Sequence, residues 1–162
     1  MVIAVGDRLP EASMMRVGAN GIEEVALGEL LKGRKVVLFA VPGAFTPTCD
    51  SAHVPSFLRV KDKLAAKGIE EIVCLAVNDP FVMKAWGETT GATAGGMSML
   101  SDPAGAFAKA IGMDFEAPLF GTMPRSQRYA MMVEDGVVKI LNIEEQSGTC
   151  EISGGENMLD KL

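Results

Sequence analysis

The octapeptide RKVVLFAV, residues 34–41, is a nearly unbroken apolar run rich in β-branched residues, and Pro42 and Gly43 follow it at once. A strand with one wet face alternates apolar and polar residues. A continuous apolar run closed by Pro and Gly instead predicts a strand covered on both faces, in the middle of a sheet. The rest of the chain must then supply two covering layers. PGAFTPTCDSAHVPSFLRVKDKLAAKG opens as a loop and then sets Phe57, Val60 and Leu64 at helical spacing, ending near Gly68, with Thr46 and Thr48 as candidate caps. IEEIVCLAV (69–77) reads as a second buried strand, and NDPFVMKAWGETTG as a helix opened by Asn78 or Asp79 with Pro80 in its first turn.

The same grammar recurs downstream. MSML is a short third strand, and SDPAGAFAKAIG a helix capped by Ser101 or Asp102 with Pro103 just inside it. RYAMMVEDGVVKILNIE carries two strand-like runs about Asp135-Gly136, a strong hairpin signal, and GGENMLDKL can close the chain as a helix. Parallel β-α-β units followed by an antiparallel hairpin predict an α/β chain of thioredoxin-like fold. Its central mixed sheet is flanked by helices, with an extra N-terminal segment and an inserted helix. At 162 residues and 48% hydrophobic, the whole chain is expected to form a single domain.

Charge and cysteine usage narrow the chemistry. The net charge of −6 comes without any Lys/Arg cluster, so no surface for nucleic acid or anionic lipid is indicated and small soluble substrates fit better. VVLFAVPGAF is too short and too broken to span a bilayer, and no signal-like segment opens the chain, so a cytoplasmic protein is expected. Three cysteines, Cys49, Cys74 and Cys150, make an odd set without C-x-x-C, and His53 is the only histidine. This argues against a disulfide scaffold and against a zinc site, leaving reactive or buried free thiols. Eleven methionines, among them Met14, Met15, Met131 and Met132, read as adaptable packing, as do Trp86 and Phe81.

Cys49 falls just beyond the carboxyl end of a central strand, where α/β sheets place their ligands, and just before a helix, whose positive end favours a thiolate. Pro42, Thr46 and Cys49 stand in the spacing P-x-x-x-T-x-x-C within VPGAFTPTCDSAHVPSF. That string resembles the peroxiredoxins, and in particular the atypical, type II or peroxiredoxin-5-like subfamily. VNDPFVMKAWG (77–87), LSDPAGAFAKAIG (100–112), QRYAMMVEDGVVK (127–139) and LNIE (141–144) match in the family's order, so the resemblance spans nearly the whole chain.

The resemblance implies a thiol-dependent peroxidase. Cys49 would attack hydrogen peroxide or an organic hydroperoxide, leaving water or an alcohol and a sulfenic acid, with no metal or cofactor. Thr46 would accept from the peroxide and donate to the cysteine sulfur, Pro42 would shield the nucleophile, and Arg128 would stabilise the thiolate and the developing oxygen charge. Arg125 has no assigned role. His53, four residues after Cys49, is read as a hydrogen-bonding histidine rather than a Cys-His partner.

Three routes are open for reducing the sulfenic acid. Cys74 matches the second cysteine of plant-like and bacterial type II members but sits in a predicted buried strand. Cys150 resembles the C-terminal resolving cysteine of animal-like members. The third route is direct attack by an external thiol. The electron donor implied is glutaredoxin with glutathione, or thioredoxin. A homodimer is implied through the loop before Cys49 together with Asp79, Pro80 and Phe81. Thiol-disulfide exchange is disfavoured because Thr46 replaces the first cysteine of a redox pair; a non-turnover redox sensor or holdase is the alternative.

Overall fold

The computed structural model describes residues Met1–Leu162. The apolar run forms β3 (Lys35–Val41), in the interior of a seven-stranded sheet of order β2-β1-β5-β4-β3-β8-β9. Its neighbours are β4 (Glu71–Ala76), parallel, and β8 (Tyr129–Glu134), antiparallel. β5 (Ser98–Ser101) extends the parallel part beside β4, and β9 (Val137–Ile143) pairs with β8 at one edge. The mixed thioredoxin-like architecture expected from the sequence is therefore the one formed.

Because side chains alternate across a strand, the run divides between two cores. Val37, Phe39 and Val41 face one layer with Cys49, Phe57, Leu64, Cys74 and Trp86. Val36, Leu38 and Ala40 face the other, with Leu27, Leu31, Phe107, Tyr129 and Met131. The first layer holds α2 (Val54–Ala66), α3 (Pro80–Thr90) and α5 (Gly155–Lys161); the second holds α1 (Leu27–Leu31) and α4 (Ala106–Ala110). Phe39 stacks on Phe57 of α2 with ring centroids 4.3 Å apart, which fixes α2 over β3. Each such buried side chain stabilises the fold by about 1.5–3 kcal/mol.

Capping follows the sequence at α3, where Asp79 accepts from the Val82 amide, while Asn78 instead accepts from Ala44 N. Elsewhere two expectations are corrected. Neither Thr46 nor Thr48 caps the helix after the loop; their hydroxyls donate to the carbonyls of Gly43 and Gly148. Asp102 reaches past Pro103 to accept from Phe107 N and Ala108 N, so α4 starts later than predicted and Pro103 lies in a turn before it. The Asp135-Gly136 hairpin forms, with both residues at positive φ, 48° and 80°. The extra N-terminal segment becomes a second hairpin, β1 (Ser13–Gly18) and β2 (Gly21–Ala26), joined to β5 at Met15 and Ser101. A two-residue pair, β6 (Asp114–Phe115) and β7 (Arg125–Ser126), brackets residues 116–124. Met14, Met131 and Met132 are buried as packing residues, as is Trp86; Phe81 is not, being 58% exposed.

Candidate active site

After β3 the chain turns at Pro42, which is buried, and Gly43. A side chain on Gly43 would press against Thr46 Cγ2 at 3.2 Å and Arg125 Nη1 at 3.3 Å, so those side chains would have to give by a few tenths of an ångström to admit one. Phe45 is held at φ 64°, a left-handed conformation that non-glycine residues avoid and that recurs at functional turns. The chain then enters a single π-helical turn over Cys49–His53, closed by Val54 N donating to Cys49 O, before continuing as α2. Proline at position 55 suits this junction, having no amide hydrogen to place.

Cys49 is fully buried in this turn, and Arg128 Nη2 donates to its sulfur at 3.0 Å. Arg128 lies between β7 and β8 and is 1% exposed, not the surface ion-pair residue that an isolated arginine would suggest. Its other bonds run to neutral groups, Nε to the Ser147 carbonyl at 3.1 Å and Nη1 to His53 Nδ1 at 2.9 Å. A buried guanidinium without a carboxylate partner is costly, and the Cys49 sulfur is the one group bonded to it that can carry a compensating negative charge.

His53 is a bonding histidine, and its tautomer follows from its partners. The Ser153 carbonyl can only accept, so Nε2 carries the hydrogen and donates at 2.9 Å, leaving Nδ1 to accept from Arg128. Burial first, and the Arg128 charge second, lower its pKa to about 3, so the ring is neutral at ordinary pH. It bonds the arginine and not the cysteine.

The Thr46 hydroxyl donates to Gly43 O at 2.6 Å. It therefore does not donate to sulfur as expected, and its lone pairs remain free to accept from an incoming O–H. Asp50, next to the nucleophile, accepts from Trp86 Nε1 at 2.9 Å, tying the π turn to α3. Arg125, unassigned from sequence, donates to Val77 O at 3.2 Å and Phe120 O at 3.1 Å, pinning residues 116–124 beside Gly43. No local motif marks it, because both acceptors are backbone carbonyls distant in sequence or irregular in conformation.

The other two cysteines differ sharply. Cys74 is fully buried on β4 opposite Phe39; burial, reinforced by Cys49, raises its pKa well above the usual thiol range. Cys150 is partly exposed in the segment between β9 and α5, its pKa raised by burial and by Glu144 and Glu156 against opposing effects of Ser153 and Arg128. That segment reaches the site through Thr48 Oγ1 to Gly148 O at 2.7 Å, as well as through Arg128 and His53. Chemically, the arrangement offers a sulfur nucleophile, a fixed cation beside it, and an acceptor hydroxyl one helical turn away.

Comparison with known proteins places this geometry among relatives. The Redoxin family profile matches residues 4–159. The chain is 46% identical to peroxiredoxin-2E-2, chloroplastic, of Oryza sativa subsp. japonica, over 99% of this chain and 72% of that protein. It superimposes with a TM-score of 0.93 on the crystal structure of reduced Prx3 in complex with hydrogen peroxide from Vibrio vulnificus, at 44% identity and covering 99% of each chain. Peroxiredoxin 5 from Alvinella pompejana is similar at 33% identity and a TM-score of 0.85, covering 97% of this chain and 96% of that one.

Proposed function

The chain belongs to the peroxiredoxin family and is a thiol-dependent peroxidase, and from that premise we propose that Cys49 is its peroxidatic nucleophile and Arg128, Thr46 and Pro42 the groups that serve it. The observation that carries the assignment is the 3.0 Å bond from Arg128 Nη2 to Cys49 Sγ between two buried side chains. Thr46 accepts a hydrogen bond from the hydroperoxide and sets its distal oxygen in line with the sulfur. Sulfur–oxygen bond formation breaks the O–O bond. The leaving oxygen takes a proton and departs as water or alcohol, leaving Cys49 as sulfenic acid. Arg128 holds the negative charge at both stages, on sulfur before attack and on the leaving oxygen during it. Pro42, buried at the foot of the loop, limits solvent access.

Within the family, the type II, peroxiredoxin-5-like subfamily is the reading favoured by the P-x-x-x-T-x-x-C string and the likeness to the rice and Alvinella proteins. Hydrogen peroxide, the ligand of the similar Vibrio protein, is a substrate on this reading, together with organic hydroperoxides. Cys150, partly exposed on a segment bonded to the active-site turn, is the resolving thiol. Cys74, at zero exposure, would need local unfolding to react. Glutaredoxin with glutathione, or thioredoxin, returns the enzyme to the dithiol. The protein acts as a cytoplasmic homodimer; its free thiols suit a reducing compartment.

The test is peroxide consumption with an excess thiol donor. Wild type turns over many equivalents, and Cys49→Ser consumes none while keeping its circular dichroism; an active C49S removes the assignment. Intact mass after one equivalent of peroxide, followed by peptide mapping, then decides the resolving thiol. A Cys49–Cys150 disulfide supports the proposal. One added oxygen at Cys49 with both other thiols free assigns the step to an external donor.

A further inference from the structure

Glu144, the residue after β9, has no part in the chemistry above, yet it is 94% buried and one of its oxygens gathers four donors. Oε2 accepts from the amides of Glu151, Ile152 and Ser153 at 2.9, 3.0 and 2.7 Å and from the Ser153 hydroxyl at 2.6 Å. Successive amides wrapped on one anion make a rigid nest, and charge-assisted bonds of this kind are about twice as strong as neutral ones. The nest fixes Ser153, and Ser153 presents its carbonyl to His53.

From there the bonding has one sense. Ser153 O accepts from His53 Nε2, His53 Nδ1 accepts from Arg128 Nη1, and Arg128 Nη2 donates to Cys49. A guanidinium is planar, so fixing Nη1 on His53 and Nε on Ser147 O leaves Nη2 a single direction, onto the sulfur. The segment between β9 and α5 supplies the second restraint directly, through Ser147 O, and braces the first by accepting from His53 at Ser153 O. We propose that Glu144 is a positioning residue of the active site: by ordering residues 151–153 it seats Ser153 on His53, and through His53 it keeps Arg128 directed at Cys49. This rests on the assignment of Cys49 as nucleophile and extends the site to a carboxylate that touches none of the reacting atoms.

The experiment uses full-length protein and measures two rates. One is single-turnover oxidation of Cys49 by hydrogen peroxide, a step that precedes any resolving thiol. The other is alkylation of Cys49 by iodoacetamide at neutral pH, followed by mass mapping. In Glu144→Ala both rates fall together, by about 10- to 100-fold, the scale expected when a catalytic group is displaced by about an ångström. E145Q, which removes an equal charge from the adjacent exposed residue, leaves both rates within about twofold.

His53 supplies an independent arm should E144A fail to fold. H53L loses both rates to a similar extent, whereas H53Q, whose amide can accept from Arg128 and donate to Ser153, recovers them to within about fivefold. A folded E144A that is merely less heat-stable, with wild-type Cys49 reactivity at a temperature where it is native, overturns the proposal, as does an H53Q no better than H53L. If wild-type Cys49 alkylates but consumes no peroxide, the nucleophile assignment fails, and the alkylation rates still decide the role of Glu144.

Discussion

Arg128 concentrates the residue-scale argument, because three of its donor nitrogens are committed to three acceptors, the Cys49 sulfur, His53 and the Ser147 carbonyl. Lysine has the charge without the fork, so Arg128→Lys is expected to lower the second-order rate for peroxide about 100-fold or more, measured by stopped-flow on the reduced enzyme. His53 carries a separate, thermodynamic prediction. Its folded-state pKa of about 3 lies below the ordinary imidazole value of 6.5, so between those values the unfolded chain binds a proton that the native one refuses. Stability therefore falls as pH drops through that window, with a limiting slope of about 1.4 kcal/mol per pH unit, and is indifferent to this group above it. Urea titrations from pH 7 down to 4 should show that slope in wild type and its loss in H53Q. A strand end, a loop and a spaced motif single out Cys49, Thr46 and Pro42 as candidates in the sequence, whereas Arg128 is singled out only by the family resemblance. The direction of the Thr46 hydroxyl and the pairing of His53 with Arg128 were not legible there, since both depend on partners that only the folded chain brings together.

At the scale of elements, the π turn holding Cys49 is tied outward to α3 by the bond from Trp86 to Asp50 and toward the C-terminal segment by that from Thr48 to Gly148. Cys49 is fully buried in this turn, so a disulfide with the partly exposed Cys150 is expected to loosen it. Trp86 is the chain's single tryptophan, so its emission should change when one equivalent of peroxide oxidises wild type and revert with dithiothreitol. Cys49→Ser should show no such change, and a silent wild type that has formed its disulfide would mean that the Trp86 tie survives oxidation. Closer packing occurs where α5 meets α2: a Cβ on Gly155 would lie 2.5 Å from the Ser56 carbonyl oxygen. Gly155→Ala should cost about 1–3 kcal/mol in chemical denaturation, the usual penalty of overpacking where backbone must move. The buried strands and the Asp135-Gly136 turn were readable because their patterns are local. The β1–β2 hairpin was missed because the edge strand β2 alternates partly buried and exposed residues and β1 buries only Met14, so neither shows a clean apolar face. The start of α4 was misplaced because Asp102 caps it across an intervening turn.

For the whole molecule, the notable imbalance is that large apolar side chains remain exposed around the site. Phe45, Phe81, Leu119, Phe120 and Met123 are all between 45% and 96% exposed. They come from separate segments, some of which are tied together by hydrogen bonds. Phe120 is held through Arg125 to Val77, and Asn78, preceding Phe81, holds Ala44 beside Phe45. Exposed apolar side chains of this size are what a second copy would cover, and the loop before Cys49 with Phe81 is where the proposed homodimer contact lies. Trp86 is buried nearby, its ring centroid 6.5 Å from that of Phe45. Placing a carboxylate in the centre of such a contact sets like charges against each other across the two-fold axis. Phe81→Glu should therefore shift sedimentation velocity from dimer to monomer at micromolar concentration. Because Phe45 sits in the strained loop that also positions Thr46, the freed loop should raise KM for organic hydroperoxides more than it lowers kcat. A variant that remains dimeric would move the contact elsewhere, and a monomer with unaltered KM would separate assembly from the shape of the peroxide pocket.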